Sequence, residues 1–262
     1  VQVVALDPGV IVARSVKWQT TCTLLHHGDE TFVVDSPIFP DELDALPGIL
    51  GQAGWGLSGL LATHGDWDHL LARLAFPDAP LGVAETTAAR LRAEPGVAQR
   101  RLREVDEDDY VIRPRPLSLG SVQALPVPGK VELGSGGGDA SELELIPADG
   151  HTSDGMAIWA PFASVLVAGD YLSPVELPMI SEGGSRDAYV ATLLRLAPYV
   201  ERADWVVPGH GAAIDGQRAL AILREDIKYL ESLGRDGVEP ALPLTRRDRV
   251  QKQIHAGNVG RV

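Results

Sequence analysis

The chain has 262 residues, 45% hydrophobic and 23% charged, and its 23 Lys+Arg against 36 Asp+Glu give a net charge of −13. That much apolar material can bury one large core or two small ones, which excludes a disordered chain. The acidic balance argues against a nucleic-acid backbone or an anionic membrane as partner, and the single cysteine, Cys22, excludes an internal disulfide framework or a zinc site built on several thiolates.

The first forty residues read as β structure. Thr20–His26 and Thr31–Asp35, separated by Gly28-Asp29-Glu30, predict a hairpin. Apolar spacing turns helical over Asp41–Leu50, with Gly51 as the stop. Leu57–Thr63 suits a buried strand. It leads directly into Thr63-His64-Gly65-Asp66-Trp67-Asp68-His69 and a helical stretch, Leu70–Phe76. A second strand, Leu81–Ala84, precedes a helix over Glu85–Ala93. Glu104–Asp109 carries five acids in six positions and reads as solvated surface. Gly134–Gly138 reads as a flexible loop, because its spacing fits neither a dinucleotide site nor a P-loop.

Three more apolar runs follow: Leu143–Ala148, Met156–Trp159 and Val165–Ala168. Residues 187–197 have helical spacing, with Pro198 as the stop, and Trp205–Val207 is a short strand. Asp215–Leu233 is the clearest amphipathic helix, with Ala219, Leu220, Leu223, Ile227 and Leu230 on one face, Asp215 as N-cap and Gly234 as the stop. From Thr245 onward Arg246, Arg247, Arg249, Lys252 and Arg261 face Asp248 alone, which predicts a basic surface helix on an acidic body. No linker forces a boundary, so residues 1–240 are expected to form one domain with 241–262 packed on it. No run approaches the roughly 18 apolar residues of a membrane span. The first residues also lack the basic-then-apolar layout of a secretory signal, so a cytoplasmic protein is expected.

Four of the seven histidines follow apolar runs, in loops rich in Asp and Gly. They are His64, His69, His151 and His210, and Asp170 follows its run in the same way. Alternate residues of an extended loop point the same way, so His64 and Asp66 can grip one metal ion while Asp68 and His69 face a second. Imidazole and carboxylate are the donors that divalent first-row metals take when thiolates are absent.

With these motifs in order, the sequence resembles the metallo-β-lactamase-fold hydrolases over essentially its whole length. Val33-Val34-Asp35, Thr63–His69, Gly150-His151-Thr152, Ala168-Gly169-Asp170 and Pro208-Gly209-His210-Gly211 are similar to five successive family motifs. The resemblance implies a mixed α/β fold, a four-layer αββα sandwich, with metals in a cleft at one edge of the two sheets. It implies one ion on His64, Asp66, His151 and a bridging Asp170, and another on Asp68, His69, His210 and the same Asp170. The family's usual metal loop is His-x-His-x-Asp-His, and Asp66 stands here at the second histidine position. A carboxylate makes that site harder, so two divalent ions are expected, zinc first, with iron or manganese as alternatives. Flavodiiron oxidoreductases of this fold also carry a carboxylate there, but it is glutamate and they add a flavodoxin domain.

The implied activity is dinuclear metal-dependent hydrolysis of a small-molecule ester, lactone or thioester by a metal-bridging hydroxide. Asp68 is the implied catalytic group, helping a proton to the leaving group. The alternative is an iron-dependent oxidoreductase or other oxygen or sulfur chemistry on the same fold, and a third reading is a metal-binding scaffold without catalysis. A thioester carrier would be anionic, and Arg249 and Lys252, one helical turn apart, are candidates to meet it. Asp35 is expected to hold the metal loop from behind, Trp67 to line the cleft or pack, and Tyr171 to donate a hydrogen bond to substrate. Ser173 stands where lactonases of this fold often carry a tyrosine. His26, His27 and His255 read as structural. Residues 172–186 and 96–140 are expected to shape the pocket.

Overall fold

The computed structural model describes residues 1–134, 141–235 and 240–262. Most of the glycine-rich segment after Gly134 lies outside the described residues. The N-terminal half builds a seven-stranded sheet in sequential order. Its first four strands, β1 (Gln2–Asp7), β2 (Val10–Arg14), β3 (Thr21–His27) and β4 (Glu30–Asp35), form an antiparallel meander. Gly28, at φ 64, makes the β3–β4 turn where a side chain would be strained. The next strands, β5 (Gly59–Ala62), β6 (Leu81–Ala84) and β7 (Gln123–Leu125), run parallel to β4. Parallel neighbours require crossovers. These are α1 (Pro40–Ala53), the short α2 (Ala72–Ala75), and α3 (Glu85–Ala93) with α4 (Val97–Asp108).

The second sheet has six strands in the order β13-β12-β11-β10-β9-β8. They are β8 (Gly129–Glu132), β9 (Glu142–Pro147), β10 (Met156–Ala160), β11 (Val165–Gly169), β12 (Trp205–Pro208) and β13 (Ile214–Asp215). Only β11 and β12 pair in parallel, joined through α5 (Arg186–Val200). Helix α6 (Gly216–Ser232) follows β13, and α7 (Arg249–Val259) closes the chain.

Three apolar cores separate four layers. Leu43, Leu46, Leu60 and Leu102 belong to the core between the first sheet and its helices. Val34, Leu61, Ile158 and Val167 fill the space between the sheets. Leu193, Leu196, Ile222 and Leu230 pack α5 and α6 on the outer face of the second sheet. This is the expected αββα sandwich. Among the described residues no helix is long and apolar enough to cross a membrane.

Several boundaries differ from the sequence reading. Gly51 lies inside α1, which ends at Gly54 in the left-handed conformation. Pro198 lies inside α5 rather than ending it; its missing N–H spares only the carbonyl of Leu194, on the exposed side of the helix. The acidic run from Glu104 is the last turn of α4, with its charges mostly outward. Strands β7 and β8 are short and escaped detection, while the apolar β1 and β2 fall within the β-rich opening without being separated there.

The tail is not all surface. Arg246 is fully buried, with Nη1 2.6 Å from Asp226 Oδ1 and Nη2 donating to Glu225 Oε2 at 3.0 Å. Helix α7 begins on the Asp248 cap and buries Gln251 and Asn258. Gln251 Oε1 accepts from Leu177 N at 2.7 Å, and Asn258 Oδ1 from Ile180 N at 2.8 Å. The tail thereby holds the loop that follows Asp170.

Candidate metal centre

Every proposed ligand lies beyond the C-terminal end of a strand, with Asp35 the last residue of its own, and all these ends meet at one edge of the sandwich. In open α/β sheets that is where ligands bind. The two sheets are fastened there: Thr21 N donates to Gly209 O at 2.8 Å, Thr21 Oγ1 to Pro208 O at 2.6 Å, and Thr20 forms a bridge with His210. Gly209 is required by close approach, because a Cβ there would collide with Asp170 Oδ1 and press on His69.

The Nε2 atoms of all four motif histidines converge on Asp170. His69 lies 3.2 Å from its Oδ1, while His151, His210 and His64 lie 3.2, 3.5 and 3.7 Å from its Oδ2. Around this carboxylate the donors divide into two sets. His64, Asp66 and His151 form one, with Asp66 Oδ2 3.8 Å from His64 Nε2 and 3.5 Å from His151 Nε2. Asp68, His69 and His210 form the other, with Asp68 Oδ2 3.7 Å from His69 Nε2 and 3.5 Å from His210 Nε2.

The opposite ring nitrogens are tied to protein, which fixes each ring. His151 Nδ1 is 2.7 Å from Met179 O, and His210 Nδ1 is 3.1 Å from Trp18 O and 3.3 Å from Thr20 Oγ1. His64 Nδ1 is 3.1 Å from Thr63 Oγ1, and His69 Nδ1 is 3.0 Å from Asp35 Oδ2. The His69–Asp35 contact is an ion pair without a hydrogen bond, whereas Asp35 accepts from Thr63 N at 2.8 Å and Thr63 Oγ1 at 2.9 Å. It does so from the left-handed region, φ 58, at the end of β4. Asp35 therefore stands behind the metal loop, orienting a ligand from outside.

Whether a metal fits can be tested on polar satisfaction. Nε2 of His64, His69 and His151 and Oδ1 of Asp170 are buried without a hydrogen-bond partner. Each such atom costs roughly 1–3 kcal/mol, and here they point at one place. Burial opposes charge on the imidazoles, yet Asp170 and its fellow carboxylates push His151 up to about 9 and His210 up to about 10, with His69 also well above the ordinary range. For His64, burial and then the neighbouring His69 win, and it is held low. Burial likewise opposes ionisation of Asp170, but the four imidazoles hold it well below the usual carboxylate range. A cluster that binds protons this tightly, with donors of the N and O type, fits divalent cations, which would displace those protons.

Beside the first set opens a cleft of about 700 Å³, whose wall includes Asp66, Trp67, Arg90, Arg100, Ser181 and Arg261. Trp67 both lines this cleft and packs on the helical core, with Trp18 edge-on at 5.6 Å. Residues between 97 and 104 and Ser181 and Glu182 contribute to the wall, within the two regions expected to shape it.

Tyr171 is placed otherwise than expected. It is buried, and its hydroxyl accepts from His151 N at 3.1 Å, so it braces the ligand loop from inside the core instead of facing substrate. Arg249 and Lys252 line a separate surface depression and not the cleft; the arginines at the cleft are Arg90, Arg100, Arg101 and Arg261. Ser173 Oγ donates to His210 O at 2.7 Å, a backbone strut. His26 stacks on Trp55, His27 on Phe162, and His255 Nδ1 lies 3.1 Å from Tyr229 Oη, all structural as read.

Sequence reasoning missed four residues. Arg90 reaches Asp66 Oδ1 and Asp154 Oδ1, both at 2.8 Å. Asp154 in turn accepts from Gly65 N at 2.9 Å. Glu176 shares a small cavity with His151, Asp170 and His210; burial raises its pKa, with His210 pulling the other way. Trp18 supplies the carbonyl that anchors His210. A TSDG run and one of two arginines on an exposed-looking helix carry no local signal for such roles.

A family model described as the metallo-beta-lactamase superfamily matches residues 16–210. No curated protein matches the sequence. Among solved structures, a metallo-beta-lactamase family protein from Thermus thermophilus is similar at 22% identity and a TM-score of 0.63, over 84% of this chain and 80% of that one. DIM-1 metallo-beta-lactamase is similar at 17% identity and a TM-score of 0.61, over 88% of this chain and 96% of that one. A double mutant of the sec-alkyl sulfatase PisA1 is similar at 13% identity and a TM-score of 0.65, over 87% of this chain but 41% of that one. At these identities the likeness is one of fold.

Proposed function

The chain belongs to the metallo-beta-lactamase superfamily, typically dinuclear metal hydrolases, and from that premise we propose that it hydrolyses an ester, lactone or thioester bond in a small molecule. One ion would be held by His64, Asp66 and His151, the other by Asp68, His69 and His210, with Asp170 between them. Zinc is the expected metal. Bound divalent ions of this kind supply a water of lowered pKa and an electrophile for the developing oxyanion.

The chain's own residues provide the rest. Asp35, Thr63, Met179 O and Trp18 O hold the imidazoles so that their Nε2 atoms need not reorganise during turnover. Asp68, only 7% exposed, sits between His69 and His210 and is the proposed proton carrier to the leaving group. Trp67 offers an apolar wall and Arg90, Arg100 and Arg261 polar ones. A cleft of about 700 Å³ suits a small molecule. The net charge of −13 counts against a nucleic acid or an anionic membrane as partner.

The observation that carries this reading is the convergence of four imidazole Nε2 atoms from separate loops on one buried carboxylate. The test is elemental analysis of protein purified without added metal, paired with turnover on ester, lactone, thioester and phosphodiester panels. Two ions per chain with ester-type turnover support it. Fewer than one ion after reconstitution, with turnover unchanged by His69→Ala, overturns it. The second reading, iron-dependent redox chemistry, draws on the carboxylate at Asp66; bound iron with oxygen consumption would select it.

A further inference from the structure

A carboxylate at position 66 poses a problem that an imidazole would not. Imidazole offers one donor atom toward the ions, with its other nitrogen elsewhere. Asp66 has two equivalent oxygens and a full negative charge beside Asp170. Left free, it can rotate, ligate through both oxygens, or turn to solvent, since it is 25% exposed.

Arg90 removes that freedom. Its Nη2 lies 2.8 Å from Asp66 Oδ1, leaving Oδ2 as the atom that faces His64 Nε2 and His151 Nε2. Its Nη1 lies 2.8 Å from Oδ1 of Asp154, which is 1% exposed and whose Oδ2 accepts from Gly65 N at 2.9 Å. The planar fork spans two carboxylates, so it cannot swing without breaking both contacts. Gly65 is the backbone link inside the metal loop, and a Cβ there would stand 3.1 Å from Asp154 Oδ2 and 3.5 Å from Arg90 Nη1. The loop, α3 and the loop after His151 are thus closed into one unit around the substituted position. A guanidinium on the oxygen turned away from the ions also draws down charge on the oxygen turned toward them.

We propose that Arg90, anchored by Asp154, is the positioning residue that makes Asp66 act as a one-oxygen, imidazole-like ligand, and that the Asp66 substitution depends on it. This rests on the dinuclear reading above and deepens it.

The test is a cycle of four proteins: wild type, Arg90→Met, Asp66→His, and the double variant. Each is loaded with zinc and titrated against a chelator of known affinity, with ion content followed by elemental analysis. Cobalt substitution then reports the ligand field of each site by visible absorption. In wild type two ions bind. Arg90→Met should weaken one of them by about 10–100-fold and alter one cobalt signature while leaving the other. In the Asp66→His background, the same Arg90 replacement should change affinity by less than about threefold, because histidine needs no clasp. A loss of equal size in both backgrounds would make Arg90 a plain strut of the loop and overturn the inference. Full retention of both ions by Arg90→Met overturns it as well. Should Arg90→Met fail to fold, Arg90→Lys keeps the charge but loses the fork; weakened binding of one ion supports the inference and wild-type binding of both overturns it. A wild type holding fewer than one ion would instead sink the dinuclear reading, before Arg90 is reached.

Discussion

Two clusters of carboxylates can be set side by side in this fold. Under the C-terminal segment, Glu225 and Asp226 close on Arg246, a fully buried guanidinium that also donates to Glu176 O at 2.9 Å. At the strand ends, Asp66, Asp68 and Asp170 close on four imidazoles, and among the described residues only Asp66 meets a guanidinium. The first cluster takes its cation from the chain as an ion pair, although Asp226 Oδ1 and Arg246 Nε make no hydrogen bond. The second leaves Nε2 atoms and Asp170 Oδ1 unpartnered. Buried charge is costly unless paired, so the cluster built on imidazoles rather than on a buried guanidinium is the one proposed to take cations from outside. On that reading stability is the business of the first and chemistry of the second.

The sharpest way to break that contrast is Asp170→Ala. Both ions should be lost and turnover should fall by about 10³-fold or more. In chelator the variant should be modestly less stable than wild type, since the pairing of Asp170 with the four imidazoles has gone; in zinc the deficit should be larger, because the ions are lost as well. Thermal melts in both conditions, with ion analysis, check it, and a variant that is destabilised equally in both would make Asp170 an ordinary structural acid.

Arg246→Met attacks the other cluster and should cost about 3–5 kcal/mol regardless of zinc, because Asp226 is left buried and alone. Denaturant titration measures it. Its pH dependence has a definite sign. Burial pushes Asp226 up to about 7 even with Arg246 pulling down, whereas an unfolded aspartate gives up its proton near pH ~4. Between those values the folded chain keeps a proton that the unfolded chain has lost, so this group's contribution to stability falls as pH rises through that window and levels off above about 7. Without Arg246 the folded value rises further and the fall continues. The deficit of Arg246→Met should therefore be larger at pH 8 than at pH 5, and a deficit of the opposite trend would refute the pairing.

Zinc should act on only one of the two clusters. At a free concentration about 100 times Kd, one ion adds about 2.7 kcal/mol to wild-type stability. The same increment should appear in Arg246→Met, because the two clusters have separate cations, and should vanish in Asp170→Ala. Melts with and without chelator in the three proteins read this directly.

Much of the second cluster was legible in the sequence and little of its support was. His64, Asp66, Asp68, His69, His151, Asp170 and His210 stand out because each follows an apolar strand run, and strand ends of a layered fold converge. Strand β4, helix α6 and its Asp215 cap were readable for the same local reasons. Arg90 was not, because a long charged side chain on the short helix α3 looks the same whether it faces water or a ligand 24 residues away. Arg246 misled in the same way: a basic tail reads as surface, and only Asp226, upstream on α6, decides otherwise. Strands β7 and β8 escaped because they are only three and four residues long and bury no residue fully. Local pattern finds what ligates; three-dimensional pairing decides what is held.

The finest distinction concerns Trp67, which stands between two proposed ligands without being one. Its ring packs on the helical core, meets Trp18 edge-on at 5.6 Å, and forms part of the cleft wall. If its task is contact with substrate, Trp67→Ala should remove about 1 kcal/mol of binding, roughly fivefold in KM, with kcat little changed. Ion content should stay at the wild-type value, because Asp66 is held by Arg90 and Asp68 by the turn into Leu70, whose N–H bonds Trp67 O through the backbone. Steady-state kinetics on whichever ester-type substrate turns over, paired with elemental analysis, separates the two roles. A loss of one ion on replacing Trp67 would place the ring among the supports of the metal loop, and the wall of the cleft would then have to be sought in Arg100 and Arg261 instead.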